Sequence, residues 1–314
     1  MDTTFRAPFA SVCRSFSEIY ARAALLCGCS GKGGAGRSGS GTLRDNTPQV
    51  LTPQASGTVV YGNDYIDIDA SHTEEGYFMV KYKGDNEKVK LRMAGPGGEE
   101  YYYLLSDSGE YETFPLPCGS GDYQVQILEN ITGDNYAIAC SADLQVSVGD
   151  ELRPFLYPNQ YVNFSPDSQA VAKGKELAEN TYSELDVITN VYHYIIGEIT
   201  YDEEKARNVA YGYLPVIDET LSSGKGICFD YAALMSAMLR SQGIPTKLEI
   251  GYAGEAYHAW ISTYIAEIGW VDKIIEFDGT SWVLMDPTLG ANNDRASVAA
   301  YIGDGSKYMV KYSY

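Results

Sequence analysis

The sequence predicts an α+β protein of two domains, an antiparallel β-sandwich followed by a domain of helices and strands. Three observations predict it. Hydrophobic residues alternate with a period of two from about Thr58 to Val148. From about Leu156 the spacing lengthens to three and four residues. The 314 residues suit two domains of ordinary size. The chain divides accordingly into a leader-like segment at 1–29, a linker at 30–57, a sandwich at 58–150 and a second domain at 151–314.

Residues 1–29 carry Arg6, Arg14 and Arg22 against Asp2 and Glu18, then the short apolar run Ala23-Ala24-Leu25-Leu26. Leu26-Cys27-Gly28-Cys29 follows. That order resembles a bacterial lipoprotein lipobox, in which the last cysteine takes the lipid. The resemblance implies export, lipid attachment at Cys29 and a cell-surface location. The Gly/Ser-rich stretch Gly31–Gly41 reads as a flexible tether that cannot pack a core.

The first domain has eight candidate strands: Tyr65–Asp69, Tyr77–Tyr82, Val89–Met93, Tyr101–Leu105, Tyr111–Leu116, Tyr123–Leu128, Tyr136–Cys140 and Leu144–Val148. Turn signals such as Gly84-Asp85-Asn86, Gly95-Pro96-Gly97-Gly98 and Gly133-Asp134-Asn135 separate several of them. Short strands at this spacing predict an immunoglobulin-like sandwich. The 27 Tyr against 9 Phe fit half-wet β-surfaces, where the ring packs and the hydroxyl meets water. The domain carries no apparent chemistry. Its His72 sits in a polar turn, and Cys118 and Cys140 each end a strand region, with their pairing left open.

Composition excludes several functions. Twenty-three basic against 42 acidic residues give a net charge of −19, which repels phosphate backbones and argues against nucleic acid as a partner. No run of 18 apolar residues exists, so membrane association would rest on the lipid anchor. The six cysteines form no zinc-type CxxC pair, and neither a structural metal nor a cofactor is expected.

In the second domain, Asp167–Glu179 and Glu184–Ile196 read as helices, with Ser165-Pro166-Asp167 starting the first and Ser183 capping the second. His193 lies within the second and reads as a core or surface histidine. Gly224-Lys225-Gly226 then breaks the chain ahead of Cys228, and a strong helix-forming series runs on to Gly243. Cys228 therefore lies at a helix N-terminus, where the helix field favours a thiolate. Thr246–Tyr252 reads as a strand, Tyr257–Ile261 begins another, and Ser281–Thr288 is a third with Asp286 near its end. If the last two are neighbours, His258 and Asp286 can sit side by side with the helix start packed across them. Cysteine, base and orienting carboxylate in one cluster form an activated nucleophile.

The stretch from about Val187 to Leu289 resembles the transglutaminase-like domain of bacterial cysteine enzymes. Gly226-Ile227-Cys228, Arg240-Ser241-Gln242-Gly243-Ile244-Pro245, Gly251-Tyr252, His258-Ala259-Trp260 and Trp282 with Asp286-Pro287-Thr288 match in order and spacing. The resemblance implies a papain-like fold, with Cys228 as nucleophile, His258 as base and Asp286 as orienter. Animal members place a Trp upstream of the Cys to help hold the oxyanion. Tyr201-Asp202 occupies the comparable place here, so Tyr201 is a candidate donor. Animal members also need calcium, but Asp272, Glu276 and Asp278 lack the oxygen-ligand spacing of a calcium loop.

The expected function is therefore acyl transfer from a protein or peptide carboxamide or amide through a Cys228 thioester, as a transglutaminase, peptidase or deamidase. The alternative is a cell-surface binding or scaffold protein with a vestigial triad.

Overall fold

The computed structural model describes residues 42–253, 256–271, 275–277, 282–284 and 308–314. The expected lipidation residue Cys29 and the expected orienter Asp286 lie outside them, as do Asp272 and Asp278. No helix among the described residues is long and apolar enough to cross a membrane.

The first domain comprises β1 (Val60–Gly62), β2 (Ile66–Asp69), β3 (Tyr77–Tyr82), β4 (Val89–Ala94), β5 (Glu100–Leu105), β6 (Tyr111–Pro115), β7 (Gly121–Thr132) and β8 (Asn135–Val146). They form two four-stranded antiparallel sheets, ordered β1-β2-β3-β6 and β5-β4-β7-β8. Ile66, Phe78 and Phe114 of one sheet share a core with Leu91, Val125 and Leu144 of the other. The expected strands at Tyr136–Cys140 and Leu144–Val148 are one strand, β8. A register shift opposite Ile127 and Leu128 puts a bulge into it. A bulge changes which face each residue meets, so one strand reads as two. Cys118 and Cys140 are free thiols. His72 packs on Tyr77 and shares a short hydrogen bond with Ser56.

Of the expected linker, residues 42–57 are described: the stretch from Arg44 to Gln49 bonds to the second domain, and Gln54 and Gly57 bond to Tyr77 and Asp69 of the first. Gln49 N–H donates to the Ser241 carbonyl at 2.7 Å, and Arg44 N–H to the Thr181 carbonyl at 2.8 Å. The Arg44 guanidinium also reaches the Gln242 carbonyl.

The second domain begins with α1 (Gln169–Leu177) and α2 (Glu184–Glu198). Neither Ser165 nor Asp167 caps α1: its first two N–H groups donate to the Asp218 carboxylate, each at 3.0 Å. Ser183 caps α2 in a reciprocal box with Asp186, as its sequence position predicts. Then come β9 (Thr200–Tyr201), α3 (Glu203–Asn208), α4 (Ile217–Ser223), β10 (Lys225–Gly226) and α5 (Cys228–Ser241). Every residue of α5 is buried. It packs on β11 (Thr246–Ala253) and β12 (Ala256–Ile265).

The last strands are β13 (Gly269–Val271), β14 (Ile275–Phe277), β15 (Trp282–Leu284) and β16 (Tyr308–Ser313). The main sheet is antiparallel, ordered β13-β12-β11-β16. Among the described residues, the strand expected at Ser281–Thr288 shows no pairing with the His258 strand. Its described part, β15, pairs with β14, and that hairpin approaches β12 through β14.

Candidate active site

Cys228 is the first residue of α5 and is 6% exposed. The first N–H groups of a helix have no partner within it, so its N-terminus favours negative charge. The turn that sets this start is tight. Gly226 cannot be replaced without strain, because an added Cβ would stand 2.7 Å from the buried Asp230 Cβ. Asp230, in the first turn, accepts the Ile227 N–H at 2.8 Å. Its carboxylate also receives Lys205 Nζ at 2.7 Å and the Tyr213 hydroxyl at 2.5 Å. Lys205 comes from α3, which the Asp202 side chain caps. A fully buried carboxylate with this many donors is satisfied, and it fixes the helix entry that carries the thiol.

Tyr201 stands beside this turn. Strand β9 pairs in parallel with β10, so that Tyr201 lies opposite Gly226, two residues before Cys228. The Asp202 N–H donates to the Gly226 carbonyl at 2.9 Å.

His258 lies on β12, opposite Gly251 of β11. Residues of one strand alternate between faces. Ala259 and Ile261 join the core shared with α5, together with Leu248 and Ile250. His258, Trp260 and Ser262 occupy the other face. There Trp260 Nε1 and Ser262 Oγ donate to the buried Glu249 carboxylate at 2.7 and 2.9 Å. The His258 ring lies 6.4 Å from that of Trp260. Its Nε2 is buried without a hydrogen-bond partner among the described residues. Burial lowers the pKa of the imidazole to about 4, so the ring is neutral at pH 7. A neutral imidazole can accept a proton. Gly251 also lets β16 close up on β11: a Cβ there would collide with the Met309 carbonyl.

Tyr257, one residue before His258, faces the α5 side; burial raises its phenol pKa, and the neighbouring Tyr312, Tyr161 and Tyr252 and then Cys228 add to the rise. The structure thus sets the Tyr201 strand against the turn before Cys228, and places His258 on the face of β12 opposite the one that α5 covers, one residue from Tyr257. Sequence reading missed Asp230, Lys205 and Tyr213. An acid two residues after a helix-starting Cys is a first-turn signal, but its side-chain partners come from 17 and 25 positions upstream.

Residues 171–287 match the family model described as Transglutaminase-like superfamily. No curated protein matches the chain. Among solved structures, the chain is similar to one described as "a Putative Cysteine Protease from Cytophaga hutchinsonii". The identity is 16%, over 76% of this chain and 83% of that one, with a TM-score of 0.38. It is also similar to red sea bream transglutaminase at 15% identity, over 72% of this chain and 54% of that one, with a TM-score of 0.31. A protein described as "a Putative Protease from Parabacteroides distasonis" matches at 12% identity, over 66% of this chain and 57% of that one, with a TM-score of 0.28. The chain spans a little over half the length of these last two.

Proposed function

We propose, from the match of residues 171–287 to the transglutaminase-like superfamily, that the protein is a cysteine acyl-transfer enzyme with Cys228 as nucleophile. The observation that carries the reading is Cys228 at the first position of a buried helix whose entry is clamped by Asp230. In the proposed reaction, Cys228 Sγ attacks the carbonyl carbon of a carboxamide or peptide bond while His258 takes the thiol proton. The oxyanion rests on the Cys228 N–H, with Tyr201 as second donor. His258 returns the proton to the leaving nitrogen, and ammonia or an amine departs. The thioester then passes to an amine or to water. Asp286 orients His258 in this scheme.

The neutral, buried Nε2 of His258 supports its role as base. The described ring contact of His258, to Trp260, favours a second reading: a surface scaffold with a vestigial triad. A glutamine-containing peptide incubated with a fluorescent amine separates the two. The enzyme reading expects amine incorporation or ammonia release by the wild type and neither by Cys228→Ala. Equal turnover by both proteins would end it.

We read the two sheets of the first domain as an immunoglobulin-like sandwich and Cys29 as the lipid attachment site of an exported protein. Palmitate labelling of the full chain in a Gram-positive host should then be lost in Cys29→Ala.

A further inference from the structure

A cavity of about 130 Å³ is lined by residues of both domains, among them the residue that follows the nucleophile. Phe229, next to Cys228, and Tyr257, next to His258, form one side of it. Tyr161 and Tyr213 form another, and Tyr102 and Leu104 of β5 close it from the first domain. We propose that this cavity binds one aromatic side chain of a peptide substrate, so that the first domain supplies part of the specificity site. The proposal rests on the acyl-transfer reading only for the role of the bound residue, since the cavity itself is formed whether or not Cys228 reacts.

Size limits the occupant. An apolar cavity of about 150 Å³ holds one benzene molecule, so about 130 Å³ suits a single ring and excludes two. The lining favours a ring as well. Tyr161 and Phe229 are tilted 46° to each other with centroids 5.6 Å apart, so the wall is built of rings set at the angles that aromatic pairs prefer. The Tyr213 hydroxyl is already committed to Asp230, so this wall offers its ring rather than its oxygen. At the mouth, Tyr211 and Leu214 are 51% and 37% exposed. Large apolar side chains held at the lip of an aromatic cavity mark a binding surface rather than a solvated one. Phe229, the residue after Cys228, lines the cavity together with Tyr257, whose phenol feels Cys228, so a residue seated here lies on the nucleophile's side of the sheet.

The test uses the full chain carrying Cys228→Ala, so that binding is read without turnover. N-acetyl-phenylalaninamide and N-acetyl-alaninamide are titrated and their affinities compared by NMR. The ring should bind at least about ten-fold more tightly, the effect expected for burying one aromatic side chain. Leu104→Trp, which fills the cavity, should erase the preference. Leu104→Ala, which enlarges it, should shift the preference toward N-acetyl-tryptophanamide. Equal binding of the first two amides, or a preference indifferent to both Leu104 variants, would overturn the proposal. A ring preference in a protein whose Cys228 fails to react would leave the cavity assignment standing and remove the acyl-transfer reading. A reactive Cys228 with no ring preference would do the reverse.

Discussion

Burial of His258 makes the fold sensitive to acid. The unfolded histidine titrates near 6.5 and the folded one near 4. Between these values the unfolded chain binds the proton more readily. The contribution to stability is therefore full above about pH 6.5 and is lost as pH falls through about 4. Between pH 7 and pH 5 the loss is about 2 kcal/mol. Urea unfolding of wild type and His258→Asn at the two pH values measures it, and the variant should lose about that much less than wild type. At the clamp, Asp230→Asn removes the charge that Lys205 Nζ meets at 2.7 Å. It should leave the chain folded but slow Cys228 alkylation by about ten-fold, since the helix entry loses its anchor. The helix start at Cys228 and the strand that carries His258 were legible because each falls in a short run with clear local signals. Asp230's partners were not, because Lys205 and Tyr213 reach it only after α3 and the loop beyond it have folded back.

Helix α5 is held by an unusual side chain for a buried site. Arg240 is fully buried and donates to three backbone carbonyls: Thr246 at 2.9 Å, Tyr157 at 2.7 Å and Tyr314 at 2.6 Å. One guanidinium therefore joins the helix to the sheet start, to the segment between the domains and to the residue after β16. Arg240→Leu strands three buried acceptors. It should cost about 3 kcal/mol or more in urea denaturation. A loss below about 1 kcal/mol would mean that water satisfies those carbonyls. The helix itself was legible from the glycines before Cys228 and from Gly243, whose φ of 71° suits a helix end. Strand β16 was not, because its partner β11 lies more than 50 residues away and no local turn announces the pairing. The cap of α1 escaped for the same reason: Asp218 arrives from another helix.

Tyrosine gathers at the seam between the domains. Tyr103 of β5 lies 5.6 Å from Tyr161 and 5.5 Å from Tyr314, and Tyr161 and Tyr314 are 4.3 Å apart. Tyr103 and Tyr314 are buried and Tyr161 is half-buried, so an expectation of half-wet surfaces accounts for only part of the tyrosine content. Composition revealed the excess, but only the fold shows which rings are shared between domains. Tyr161→Ala opens a hole at this seam and should cost about 3 kcal/mol. It should also split thermal unfolding into two calorimetric transitions, where the wild type gives one. The cavity proposed to bind a ring abuts the same seam, which ties substrate selection to the packing of the two domains.

The central claim, that Cys228 is an activated nucleophile served by His258, is tested most directly by site-resolved alkylation with iodoacetamide at pH 7. The protein carries its own reference, since burial pushes the Cys118 thiol up to about 11 and also raises that of Cys140. Cys228 should alkylate at least about 100-fold faster than Cys118, and His258→Ala should slow Cys228 at least about ten-fold while leaving Cys118 unchanged. If Cys228 reacts no faster than the two reference thiols, or at the same rate with and without His258, the account is contradicted.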